Sequence, residues 1–486
     1  MSDVLTIWDR TDLLDRILSE QEAGVPEVAR AFTVAGLATR VPTLVVVLSR
    51  SRDAEAFKEA LGSWMDPAQV VLYPAWEVLP GEAISPTLET MGRRIKVLRD
   101  LALGRYPKVI VTSVRAAVQE VAPPPLEAIR LEPGVDLPLD EIVTKLVEYG
   151  FERNYLVERP GEFSVRGGIL DIFPAVDGPF RADFFGDEIT DLRRFSASSQ
   201  RSGEALRVAE VTPCRELRLN GEVRQRASAI LEQEPEESDR YEDLERLANG
   251  VMFPGMEAYL STVAGPLKKL TDFLPDEGLV VLSDPKQCRD RAADFLEQAE
   301  SWGGKQAKGL FVDLEQVAEP SRTVELWPYR RGDAGVDLEV SGWDEYAGRV
   351  ENLAKRCQDL VKAGATVLVA GGRSANRARE VLADAGLGLP IAPAAKAGEA
   401  SITQMSVGKG FLLRFDGEPV LAVVGEADLF GRRRPVAAPV VSAPARAAAL
   451  LLQLAPDDYV VHEIYGVGKY HGMVTREVAG VSRDYL

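Results

Sequence analysis

Between residues 42 and 120, short apolar runs alternate with segments whose apolar residues recur every three or four positions. TLVVVL (43–48), QVVLYP (69–74) and KVIVTS (108–113) have the length and composition of buried strands. Residues 52–63 predict a helix, and in 88–103 Leu88, Met91, Ile95, Leu98 and Leu101 fall on one helical face. Such strands separated by amphipathic helices predict a parallel sheet covered on both faces. The pattern changes after Pro123–Pro125. A helix is expected near 139–149, and FSVRGGILDIFP (163–174) and FRADFFGDEITDLRRF (180–195) then alternate apolar with polar residues. Joined by the turn-forming AVDGP, they predict an antiparallel hairpin. Strand-then-helix texture returns at 278–302, so residues 119–210 form a β-rich insertion within an α/β domain.

A further α/β unit is expected over 335–432, with a helix at 343–363, the strand TVLVAG (366–371) and a helix at 373–386. PVAAPVVSAPARAAAL (435–450) has the low complexity of a linker. From Asp457 onward the chain is aromatic, glycine-containing and strand-like. It stops at Asp484-Tyr485-Leu486, inside a strand and before a partner strand returns, which predicts a truncated β-unit unable to close its own core. The fold class is therefore multidomain α/β with an inserted antiparallel, α+β domain.

Composition narrows the function. The 486 residues suggest three to five compact units. No apolar run reaches the roughly 18–20 residues of a membrane span, and the N-terminus lacks a secretory signal, so a cytoplasmic location is expected. Cys214, Cys288 and Cys357 are too far apart for a local metal or redox pair. With 57 Lys+Arg against 75 Asp+Glu the net charge is −18, which disfavours nucleic acid as the main partner. A local basic patch remains open: arginines outnumber lysines 43 to 14, and RRR closes the third unit at 432–434.

No nucleotide-triphosphate loop of the form GxxxxGK[ST] is found, because none of the 14 lysines precedes Ser or Thr. The stretch ahead of the first long strand, where that loop is expected, reads VAGLATRVP (34–42), and Gly408-Lys409-Gly410 is followed by Phe411. His462 and His471 are the only histidines, so triad chemistry has almost no raw material, and neither a catalytic nor a metal site is assigned. Trp76 in YPAWEVLPGEAISP is either a buried loop anchor or a stacking platform for bases.

The richest segment is 151–195. It distributes Arg153, Arg166 and Arg181 over neighbouring strands, with Phe184-Phe185 close by. Alternation puts Arg166 opposite in facing to Val165, and Arg181 to Phe180. Arginines beside an exposed aromatic have the composition of an interface hot spot. The ordinary alternative is a set of surface ion pairs with Glu162, Asp171 and Asp183. Phe184 and Phe185 cannot face one side of a regular strand, so one of them is expected in the core.

These segments resemble the bacterial transcription-repair coupling factors. YPAWEVLPGEAISPTLETMGRRIKVLRDL, VIVTSVRAAVQ, the run from FERNYLVERPGEFSVRGGILDIFP to SASSQRS, LAVVGEADLFGRR and DYVVHEIYGVGKYHGM occur in the family's order over almost the whole chain. The GEFSVRGGILDIFP block is shared with the excision-repair protein UvrB; the lack of a phosphate loop and the GVGKYHG block favour the coupling factors. The resemblance implies that 1–118 and 211–330 are two parts of a UvrB-like, RecA-like module with a degenerate nucleotide site, and that 119–210 is an inserted UvrA-binding domain. It further implies a small middle domain (335–432), a linker (433–456), and at 457–486 the start of a Tudor-like, CarD-like barrel that binds the RNA polymerase beta subunit. Arg153, Arg166, Arg181 and Phe185 match UvrA-binding positions, although Ser164 stands where UvrB has an arginine. His462, Gly466, Val467, Gly468 and Tyr470 match the polymerase-binding block. Complete members continue into an ATP- and magnesium-dependent DNA translocase and a C-terminal domain that covers the UvrA-binding face. For this chain the resemblance therefore implies no cofactor and an open UvrA surface. The function implied is recruitment in transcription-coupled nucleotide excision repair, with residual weak DNA binding left open. The competing reading is a UvrB-like ATP-dependent enzyme acting on damaged DNA.

Overall fold

A computed structural model describes residues 2–431, apart from 308, 320–321, 331–334, 344–345, 347–348 and 394, together with four strands between 459 and 485. It divides into two units, Met1–Arg432 and Arg433–Leu486. The Pro/Ala-rich linker, the RRR run and Tyr470 lie outside the described residues.

The first unit is built on a seven-stranded sheet in the order Val336–Asp337, Glu22–Gly24, Arg322–Trp327, Leu279–Ser283, Leu44–Leu48, Val109–Ser113, Val70–Tyr73. All its pairings are parallel. The central runs LVVVL, VIVTS and LVVLS are buried at every position. Their alternate residues feed two cores: Leu44, Val46 and Val281 on one face, Val45, Val47 and Val280 on the other. That is how a strand without polar alternation behaves when helices cover both sides.

The stretch VAGLATRVP (34–42) begins inside a helix. Helix Glu27–Leu37 runs through Val34, Ala35 and Gly36, and Gly36 is needed because a Cβ there would lie 2.6 Å from the indole Nε1 of Trp8. The strand-to-helix junction ahead of strand 44–48 is instead Val25-Pro26. It is filled by protein: Arg30 is buried and donates from Nε to the Val25 carbonyl (3.2 Å) and from Nη1 to Ser283 Oγ (3.3 Å). A Cβ on Gly24 would strike Asp337 and the Arg330 backbone.

Helix α1 (Leu88–Ala102) buries Met91, Ile95, Leu98 and Leu101, while Leu88 turns toward the insertion and packs on its core. Trp76 is buried and donates its Nε1–H to Glu216 (3.1 Å), which makes it a core anchor and excludes a base-stacking platform. It joins Leu217, Val223, Leu244 and Tyr259 in a helical cluster over roughly 217–263.

In the insertion, strand Ile129–Leu131 pairs antiparallel with Ala209–Val211, bringing its ends together. Helix α2 (Leu139–Glu148) packs Ile142 and Leu146 on one face of a six-stranded sheet. Its strands are β1 (Glu152–Arg153), β2 (Glu162–Arg166), β3 (Ile169–Phe173), β4 (Phe180–Phe185), β5 (Glu188–Phe195) and β6 (Ser202–Ala205), adjacent in chain order. The single hairpin expected here is therefore corrected to a four-stranded meander, β2 to β5. Each expected strand folds back on itself at a glycine of positive φ, Gly167 (61°) and Gly186 (65°).

A five-stranded mixed sheet follows, ordered Glu339–Ser341, Phe411–Phe415, Glu418–Val424, Thr366–Ala370, Ala400–Thr403. Helices Val350–Lys362 and Ala375–Asp384 cover one face. The first begins at Val350, not 343, because Trp343 is buried as a core residue whose Nε1 donates to the Val423 carbonyl (2.6 Å). The other face sends Phe411 and Phe415 into the core of the parallel-sheet domain.

In the second unit, Tyr459–His462 pairs with Gly466–Lys469 and Val474–Val478 with Val481–Tyr485, both antiparallel. The expectation of an unpaired final strand is corrected: Tyr485 is in register with Val474.

Candidate partner-docking face

Antiparallel register puts opposed residues on one face. Ser164, Asp171, Arg181 and Arg193 form one row across β2, β3, β4 and β5, and Arg166, Ile169, Asp183 and Asp191 form the next. The opposite face carries Phe163, Leu170, Ile172, Phe180, Ala182 and Leu192, all buried against α2. The arginines thus lie on the side of the sheet away from its core.

Arg166 and Arg181 are not on adjacent strands; β3 separates them and supplies Asp171. Arg181 grips that carboxylate with two parallel bonds, Nε to Oδ1 at 2.6 Å and Nη2 to Oδ2 at 2.9 Å. Arg166 reaches it diagonally, Nη2 to Oδ2 at 2.5 Å. Asp171 is fully buried, so both bonds act where water competes little. The hydrogen bond to Asp171 raises the pKa of Arg181 above its ordinary value, against a smaller opposing effect of burial. The ion-pair expectation for Asp171 is met, and the pairs are partly buried features rather than solvated surface contacts.

Phe185 follows Arg181 and Asp183 on the same face of β4 and is 81% exposed, while Phe184 packs against the core. Arg153 does not join this group. It is exposed on the edge strand β1, in register with the core residue Phe163 and so on the opposite facing from Arg166. Ser164 is buried and donates its hydroxyl to the Tyr155 carbonyl (3.0 Å), tying the loop after β1 across the arginine face. Tyr155 is 84% exposed beside it. Sequence patterning did not single it out, because a lone tyrosine in a polar loop has no periodicity to mark it.

The insertion is held on α1 by four residues about one turn apart. Leu88 meets Gly161, Gly92 abuts Ala175, Lys96 pairs with Asp177 at 3.5 Å, and Arg99 reaches Glu210 at 3.4 Å. Beneath them Arg94 and Glu216 form an ion pair (Nε–Oε1 2.6 Å) that is 0% and 3% exposed. Burial acts most strongly against the Arg94 charge, yet Glu216 and Tyr73 together leave its pKa raised. Arg94 also lies 4.5 Å over the Tyr73 ring.

Among the described residues no cluster of three or more His, Cys, Asp or Glu could hold a metal ion, and no helix is long and apolar enough to cross a membrane. In the second unit His462 is in register with Gly466, Val461 with Val467 and Val460 with Gly468, so four of the five polymerase-block residues share one hairpin.

Comparison with known proteins agrees with this geometry. The UvrB interaction domain family matches residues 129–217, which contain β1 to β6, and the CarD-like/TRCF RID domain family matches 454–486. The transcription-repair-coupling factor of Mycobacterium bovis is 34% identical across 95% of this chain. Over nearly its whole length the chain is similar to the transcription-repair-coupling factors. The transcription-repair-coupling factor of Myxococcus xanthus is 30% identical over 95% of the chain, and that of Bacillus subtilis 28% over 96%. The chain spans 41–43% of the length of these coupling factors.

Proposed function

We propose that this chain acts in transcription-coupled nucleotide excision repair as a recruitment module. Its inserted sheet docks UvrA, and its 457–486 segment contributes to binding the RNA polymerase beta subunit. The observation that carries the reading is the solvent-side face of β2 to β4. There two guanidiniums are fixed around a buried carboxylate beside a fully presented Phe185. A rigid aromatic next to oriented arginine forks is the composition of a binding hot spot. Arg153 would contribute from the sheet edge. On this reading 1–118 and 211–330 form a UvrB-like module without ATP turnover, 335–432 is a middle domain, and 433–456 links it to a CarD-like segment. The filled Val25-Pro26 junction supports that reading over a UvrB-like ATPase, since phosphate loops need open backbone N–H groups at such a junction.

The test is calorimetric titration of the chain with UvrA. Wild type is expected to bind, and Phe185→Ala or Arg166→Glu to weaken binding by roughly 10- to 100-fold, the range of a hot-spot truncation. Equal binding by both variants, with their circular dichroism unchanged, would move the interface elsewhere. ATP hydrolysis by the isolated chain would favour the enzyme reading.

A further inference from the structure

Arg166 and Arg181 are alike in sequence, but the sheet gives them different chemistry. Every nitrogen of the Arg181 guanidinium has a partner. Nε and Nη2 hold the two oxygens of Asp171, and Nη1 reaches Ser202 Oγ at 3.4 Å. The same group lies 5.3 Å from the centroid of Phe195, and the side chain is only 18% exposed. Arg166 is 34% exposed and makes one bond, from Nη2 to Asp171, so its Nε and Nη1 bind nothing among the described residues. Asp171 itself is 0% exposed and cannot touch a partner.

We infer that Arg166 is the cation that meets a carboxylate on the docked protein, whereas Asp171 and Arg181 are positioning residues that hold its guanidinium ready. The inference rests on the UvrA-docking reading and divides the labour within it. A long side chain loses rotamer freedom when it docks, and fixing it beforehand removes part of that cost. Arg181 can fix it because a bidentate fork immobilises the Asp171 carboxylate in one plane, and Oδ2 of that carboxylate is shared with Arg166. A simple electrostatic account has the opposite sign. If only net charge mattered, neutralising Asp171 would make the face more cationic and tighten its grip on an acidic partner.

The experiment is a double-mutant cycle by calorimetry on the whole chain with UvrA at fixed salt, comparing wild type, Asp171→Asn, Arg166→Ala and the double variant. Asp171→Asn keeps the side-chain shape and is expected to weaken binding roughly three- to tenfold, the cost of ordering one long side chain. In the Arg166→Ala background the same change should alter affinity less than about twofold, because there is no guanidinium left to position. A purely structural role would give equal losses in both backgrounds and overturn the inference, as would unchanged or tighter binding by Asp171→Asn. If Asp171→Asn lowers the melting temperature too far for titration, Arg181→Gln takes its place. Non-additivity with Arg166→Ala supports positioning; additive losses make Arg181 a contact and sink the assignment. Absence of binding by wild type would instead overturn the docking reading, and this inference with it.

Discussion

Asp171 and Glu216 are both buried carboxylates held by arginine, and they serve different ends. Asp171 faces the side of the sheet that remains open, so its pairs control how a side chain is presented. Glu216 lies where the insertion returns to the parallel-sheet domain and accepts from both Arg94 and Trp76. Glu216→Gln would leave the Arg94 charge buried without its counter-ion, and breaking such a pair costs about 3–5 kcal/mol. Urea unfolding should show that loss. Removing the Lys96–Asp177 pair, about half exposed on both sides, should change stability by less than about 1 kcal/mol. The thiols of Cys214, Cys288 and Cys357 are all buried, and burial pushes each up to about 12 from 9.0. They should resist iodoacetamide at neutral pH until the chain is unfolded, as mass spectrometry would record. Because the folded pKa is raised, their contribution to stability is complete below about pH 9 and is lost as pH rises toward about 12.

At the scale of elements, the arginine face depends on two glycine turns and one helix. Gly167 and Gly186 have positive φ and open space around the Cβ position, so an alanine there meets no clash and costs only backbone strain, about 1–2 kcal/mol. Gly167→Ala, next to Arg166, should lower the unfolding midpoint and weaken UvrA binding together; Gly186→Ala, next to Phe185, should do the same. Gly92 acts differently. It lies in regular helix, but an added Cβ would come 2.5 Å from the Cβ of Ala175. Gly92→Val should therefore pry the insertion from α1, seen as faster hydrogen exchange in 174–178 with α1 itself still protected. Gly-Gly at 167–168 sits between two apolar-polar alternations, so the turn was visible in the sequence. The core-facing positions change parity across it, from Phe163 and Val165 to Leu170 and Ile172, so FSVRGGILDIFP is two strands and not one.

At the scale of the molecule, the five-stranded sheet shares a core with the parallel one. Phe411 packs 5.7 Å from Phe32 and 6.1 Å from Trp64, while Phe415 lies 6.3 Å from Trp8, ring centre to ring centre. Phe411→Ala should cost about 3–5 kcal/mol and accelerate hydrogen exchange in strand 44–48 as well as in 411–415. Faster exchange confined to 411–415 would mean the two sheets are energetically separate. What the sequence determined by itself is local: the unbroken apolar runs of the buried strands, the helical face of 88–103, and the family motifs that mark residues 151–195 as the segment to examine. Those signals survive because periodicity and turn chemistry depend on near neighbours along the chain. Only the tertiary structure decided that Arg166 and Arg181 meet across β3 on one carboxylate, and that Arg153 falls outside the group. It also decided that Trp76 is a core anchor and that 34–37 continues a helix against Trp8. Each of those outcomes depends on partners tens to hundreds of positions away or on strand register, and no local pattern encodes which distant side chain will fill the space.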